Sequence, residues 1–85
     1  MLVTERVASL RGVVLVDATY DDSSLALSSI VVTNNSDRSV TVTINRSSGQ
    51  AWQDRVLPPG SQTFTPGGPV QSMTDLGRFQ VGLPW

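Results

Sequence analysis

The chain has 85 residues, with six arginines but no lysine, six aspartates and one glutamate, no cysteine and no histidine, and a net charge of −1. That composition excludes disulfide bracing and a cysteine-rich metal site, removes the side chain that ordinarily titrates near neutrality, and offers no basic stripe for nucleic acid. Charged residues make up 15% of the chain, against roughly 25% in a typical domain, and serine and threonine supply the polar surface instead.

This length predicts one domain, residues 1–85. A domain of this size buries only about 60–65% of its unfolded surface, so the core is thin and support from a partner or from further copies is expected. The first residues lack the pattern of a secretory signal, because Glu5 and Arg11 interrupt the apolar runs. No stretch approaches the roughly 18 apolar residues of a membrane-spanning helix. Synthesis in the cytoplasm is the expectation, with no membrane partner.

In residues 2–10, Leu2, Val3, Val7, Ala8 and Leu10 suit either a turn and a half of helix or an edge strand. The strand, or an extended arm over residues 1–11, is the preferred reading. Residues 13–20 read as a strand with Val14, Val16, Ala18 and Tyr20 on one face. Asp21, Asp22, Ser23 and Ser24 form a turn, since short side-chain acceptors satisfy turn amides.

Residues 25–34 break their alternation. Leu25 and Leu27 share one phase, while Ile30 and Val32 share the other. A bulge near Ser28 and Ser29 reconciles them; a central strand covered on both faces is the alternative. Residues 35–38 are expected to close a hairpin into the strand 39–45, where Val40, Val42 and Ile44 alternate with Thr41, Thr43 and Asn45. A second turn at 46–50 leads to the strand 51–57, giving an antiparallel meander. There Trp52, Asp54 and Val56 share one face, and Gln53, Arg55 and Leu57 the other.

Pro58, Pro59 and Gly60 end that strand. A short strand at 61–65 is anchored by Phe64. Residues 70–76 suit a loop or one helical turn started at Ser72 or Thr74. The last strand, 78–83, places Phe79, Val81 and Leu83 in the core. Six or seven short strands with proline and glycine turns predict an all-β fold, a small antiparallel β-sandwich or partly open barrel.

The chemistry-bearing residues point away from catalysis. Serine has no histidine, lysine or cysteine to activate it. Asp54 and Asp75 are the carboxylate pair considered for acid–base work, and nothing in their context favours it. Asp17, Asp21 and Asp22 cluster near one turn, without the spacing of a calcium loop. No cofactor, metal or small-molecule substrate is expected. Tyr20, Phe64 and Phe79 lie on inward phases, and Trp52 is core or half-buried. Trp85, after Pro84, is read as an anchor for a neighbouring surface. The interface candidates are Leu2, Val3, Val7 and Trp85, with Arg38 and Arg46 in the turns.

The segments Thr33-Asn-Asn-Ser36, Val40-Thr-Val-Thr-Ile44 and Val56-Leu-Pro-Pro-Gly60, followed by Phe64, resemble a pattern of immunoglobulin-like β-sandwich modules. A free-standing module of this kind without a secretion signal resembles the small accessory proteins of tailed-phage virions, which decorate capsids or join head and tail parts. The resemblance implies a non-enzymatic, multi-copy virion protein that binds a protein lattice or forms a homo-oligomer. A carbohydrate-binding or adhesion module and a small cytoplasmic regulator of another protein are the alternatives.

Overall fold

The computed structural model describes residues 1–84. It contains seven strands: β1 (Leu2–Leu10), β2 (Val14–Asp21), β3 (Leu27–Asn34), β4 (Val40–Arg46), β5 (Ala51–Leu57), β6 (Gly60–Phe64) and β7 (Leu76–Gly82). They form two antiparallel sheets, β1-β2-β3-β6 and β5-β4-β7. The fold is a small all-β sandwich. It has the four-plus-three strand count of an immunoglobulin constant-type domain but a different order, since here the third strand stays in the first sheet.

The alternation in β2 works as read: Val14, Val16 and Ala18 are fully buried. The bulge in β3 is also present. Thr19 pairs with Ser29 and Tyr20 with Leu27, leaving Ser28 as the extra residue. That single insertion flips the phase, so Leu27, Ile30 and Val32 all reach the core. The strand begins at Leu27 rather than at Leu25, whose φ of 65° places it in the left-handed region. From the facing sheet, Val40, Val42, Ile44 and Leu57 close on these residues, with Phe64 and Val70 completing the core.

The expected hairpin at 35–38 is not a hairpin. β3 pairs with β2 and β6, whereas β4 pairs with β5 and β7, so residues 35–39 cross from one sheet to the other. Asn34 makes that crossing possible. Its Nδ2 donates to the carbonyls of Arg38 (2.7 Å) and Leu57 (3.2 Å), and its Oδ1 accepts from the backbone N–H (3.0 Å) and hydroxyl (2.7 Å) of Ser36. A buried amide with its polar atoms satisfied stabilises the corner that takes the place of the expected hairpin. The meander therefore survives only as the β4–β5 hairpin.

Residues 2–10 are an edge strand, with a register shift at Val7. The segment 70–76 carries a single 3-10 turn, Met73–Asp75, capped by Ser72 in a reciprocal capping box with Asp75. β7 is bulged at its start, where Arg46 faces Leu76 and Ile44 faces Phe79. Gly77 is required there, because a Cβ would overlap the carbonyl oxygen of Arg46. Phe79, Val81 and Leu83 point inward as their phase demands. They are half-buried rather than enclosed, because β7 is an edge strand.

Candidate interaction surface

The outer face of the three-stranded sheet is built from the polar half of the β4 alternation. Thr41 lies between Val56 and Gly82, and Thr43 lies between Asp54 and Gln80. The Thr43 hydroxyl donates to the Asp54 carboxylate (3.3 Å), and the Asn45 amide donates to the Arg78 carbonyl and to Gln80 Oε1, both at 3.0 Å. Val56 is the large apolar side chain on this face and is 68% exposed. It is held out of the core by its register opposite Thr41.

Two shallow hollows lie at the ends of this face. Arg38, Thr41, Val56 and Leu83 line one, and Asn45, Arg46, Gly77 and Arg78 line the other. The structure thus places Arg38 and Arg46, both singled out from the turns, at opposite ends of one sheet. Arg46 is tied to its own turn. Its backbone N–H donates to the Gln50 carbonyl (2.7 Å), its guanidinium donates to Gln50 Oε1, and its Nε is buried with no acceptor among the described residues.

Leu2, Val3 and Val7 lie elsewhere, along β1 at the edge of the other sheet. Leu2 is 61% exposed; Val3 and Val7 are half-buried, and Val7 packs against the core from its bulge. The exposed groups around them are mutually engaged. Arg6 pairs with Asp17 (3.1 Å), the Thr4 and Thr19 hydroxyls share a hydrogen bond (2.7 Å), and the Tyr20 hydroxyl donates to Glu5 (3.0 Å). That last bond, reinforced by burial and by the Glu5 charge, raises the Tyr20 pKa. Trp85, the remaining interface candidate, lies outside the described residues. The sequence-derived candidates therefore fall on two separate surfaces.

The acidic clusters are spent on local structure. Asp21 accepts from the Ser23 hydroxyl (2.5 Å) and from the N–H groups of Ser23 (2.8 Å) and Ser24 (3.1 Å), and its second oxygen meets the N-terminal ammonium (3.3 Å). These bonds, the Ser23 hydroxyl first, hold its carboxyl well below the usual range. Asp75 is lowered by the N–H groups of Gln71 and Ser72. Asp17 is engaged by Arg6, and Asp54 by Thr43. Among the described residues no three His, Cys, Asp or Glu side chains converge as a metal site would need.

Sequence reasoning passed over Arg55 and Asn34. Arg55 sits opposite Val42 on the inward phase of β5, with its guanidinium carbon 5.2 Å from the centre of the Phe64 ring. A cation over that ring caps the open flank between β5 and β6. Its shared phase with Leu57 was the available signal. Trp52 resolves the conflict it posed on β5. It is the extra residue of a bulge, skipped between Gln53 and Ala51, and turns half into the core while Asp54 stays out. No family model matches the chain, and no curated protein and no solved structure matches it.

Proposed function

We propose that the chain is a non-enzymatic protein-interaction module used in many copies, as a capsid decoration or head–tail joining component of a virion. The observation that carries the reading is the outer face of the β5-β4-β7 sheet. It presents Val56 to solvent, carries Asp54 beside Thr43 at its middle, and is flanked by Arg38 at one end and Arg46 and Arg78 at the other. Such a face suits docking on a protein lattice through an apolar contact with polar hydrogen bonding around it. The absence of histidine, lysine and cysteine from the sequence supports the non-enzymatic part of the reading. Carbohydrate binding would call for several exposed aromatic rings in one plane. Among the described aromatic residues, Phe64 is buried and Tyr20, Trp52 and Phe79 are half-buried, so that alternative gains no support.

The test is co-sedimentation with purified particles from the chain's source on a density gradient. The chain should travel with the particle fraction in a fixed, saturable ratio, and Val56→Asp should release it. Particles that lack the chain and do not take it up would refute the virion assignment.

A further inference from the structure

Among the described residues, four strands of the sandwich have an unpaired edge: β1, β6, β5 and β7. Exposed edges template pairing with other chains, and folded proteins blunt them with bulges, charges, proline or shortness. Three of these edges are blunted. β1 carries a bulge at Val7 beside Glu5 and Arg6. β5 carries the Trp52 bulge together with Asp54 and Arg55. β6 has five residues and lies between Pro59 and Pro66. β7 has its bulge and its one charge, Arg78, confined to its start, and Pro84 stands two residues beyond its end; between them residues 79–82 pair in unbroken register with Ile44 to Thr41. The stretch Phe79-Gln-Val-Gly-Leu83 holds no charge and no proline.

The direction of its backbone groups follows from β4. The Arg46 N–H donates to the Gln50 carbonyl on the β5 side. Main-chain groups alternate sides along a strand, so Arg46, Ile44 and Val42 turn theirs toward β5, and Asn45, Thr43 and Thr41 turn theirs toward β7. Gln80 and Gly82, which face Thr43 and Thr41, therefore bond back to β4. Phe79 and Val81 direct their N–H and C=O groups to the free edge, and Leu83, the residue after the strand, would continue the alternation in an extended conformation.

We infer that β7 pairs antiparallel with β7 of a second copy, about a two-fold axis at Val81. In that register Phe79 faces Leu83 of the second copy, Val81 faces Val81, and Gln80 faces Gly82. The backbone groups of residues 79, 81 and 83 then meet as hydrogen-bonded pairs. The inward side chains of those pairs are all apolar, and the half-buried Phe79, Val81 and Leu83 gain cover from each other. On the outward side the larger Gln80 meets a glycine. No charged residue opposes a like charge within the paired stretch. This self-complementarity selects a second copy over an unrelated peptide, and it joins two three-stranded sheets into one of six. The inference deepens the assembly reading by naming the contact between copies, and it rests on that reading only for its biological setting.

The register makes a specific test possible, since the chain has no cysteine of its own. Gln80 and Gly82 form a non-hydrogen-bonded pair across the new interface, with Cα atoms about 4.5 Å apart, within reach of a disulfide. Both positions are exposed, and a Cβ on Gly82 meets only ordinary contact with Thr41. Gln80→Cys and Gly82→Cys, oxidised together, should give a cross-linked dimer in at least tenfold excess over either variant oxidised alone. The wild-type chain should sediment at twice its monomer mass at high concentration. Cross-linking by Gln80→Cys alone would move the axis and overturn the register. A wild-type chain that remains monomeric up to about 1 mM, where an association worth about 4.1 kcal/mol would show, overturns the pairing itself. If that monomer still co-sediments with particles, the virion reading stands and only the β7 contact falls.

Discussion

β2 and β7 read alike in the sequence, yet they occupy different environments. Each alternates apolar and polar residues. In β2 the apolar set, Val14, Val16 and Ala18, is sealed, because β1 and β3 flank it and the second sheet covers it. In β7 and the residue after it the apolar set, Phe79, Val81 and Leu83, is half-covered, because among the described residues no strand pairs with β7 on one side. Periodicity states which face turns inward. How fully that face is removed from water depends on the neighbours a strand acquires. The difference separates residues that hold the fold from residues available for contact with another chain.

The comparison is broken most severely where the two sheets are joined. Asn34→Leu removes the amide donor to the Leu57 carbonyl and the acceptor of the Ser36 N–H, while the Arg38 carbonyl keeps the Ser36 hydroxyl, and unsatisfied buried polar groups cost about 1–3 kcal/mol each. Chemical denaturation should show a loss of about 3 kcal/mol, and a loss under about 1 kcal/mol would mean that the corner is held by other contacts.

The same truncation in each strand sharpens the contrast. Val16→Ala deletes methyl groups from a sealed site and should cost about 2–3 kcal/mol, while Val81→Ala should cost about 1 kcal/mol in the monomer. Equal losses would show that β7 is as enclosed as β2. Gly77→Ala forces a methyl onto the Arg46 carbonyl. The repacking should cost about 2 kcal/mol and loosen the start of β7, seen as faster amide exchange at Leu76 and Arg78.

Acid should act through the turns and leave the sheets to follow. Asp21 and Asp75 have folded pKa values depressed by hydrogen bonds. Their contribution is complete above the unfolded aspartate value of about 3.9 and is lost as pH falls from there through their lower folded values. The melting temperature should decline in that window and stay level between pH 5 and 8, where the chain has no histidine to titrate. A transition near pH 6 would contradict this. The smallest effect belongs to Val56→Thr, on the exposed outer face. Stability should change by less than about 0.5 kcal/mol, while binding to the particle weakens; unchanged binding would move the contact off this face.

The sequence by itself determined the elements and their local geometry. Alternation marked β2, β4 and β7, the phase conflict between Leu27 and Ile30 located the Ser28 bulge, and the run of Asp and Ser after Tyr20 marked its turn. These are legible because a side chain's face and a turn's hydrogen bonds depend on residues two to four positions away. Only the tertiary structure decided that β3 joins β6 rather than β4, that Asn34 is a buried corner and not simply the end of a strand, that Trp52 swings inward through a bulge, and that Arg55 caps Phe64. Each of these depends on which strands pair and in what register, chosen by which pairing buries the apolar faces together, and strand grammar carries no record of that choice. The candidate surface followed the same division: Arg38 and Arg46 were legible as turn arginines, but their placement at the two ends of one sheet, with Val56 between them, came from the register of β4 with β5 and β7.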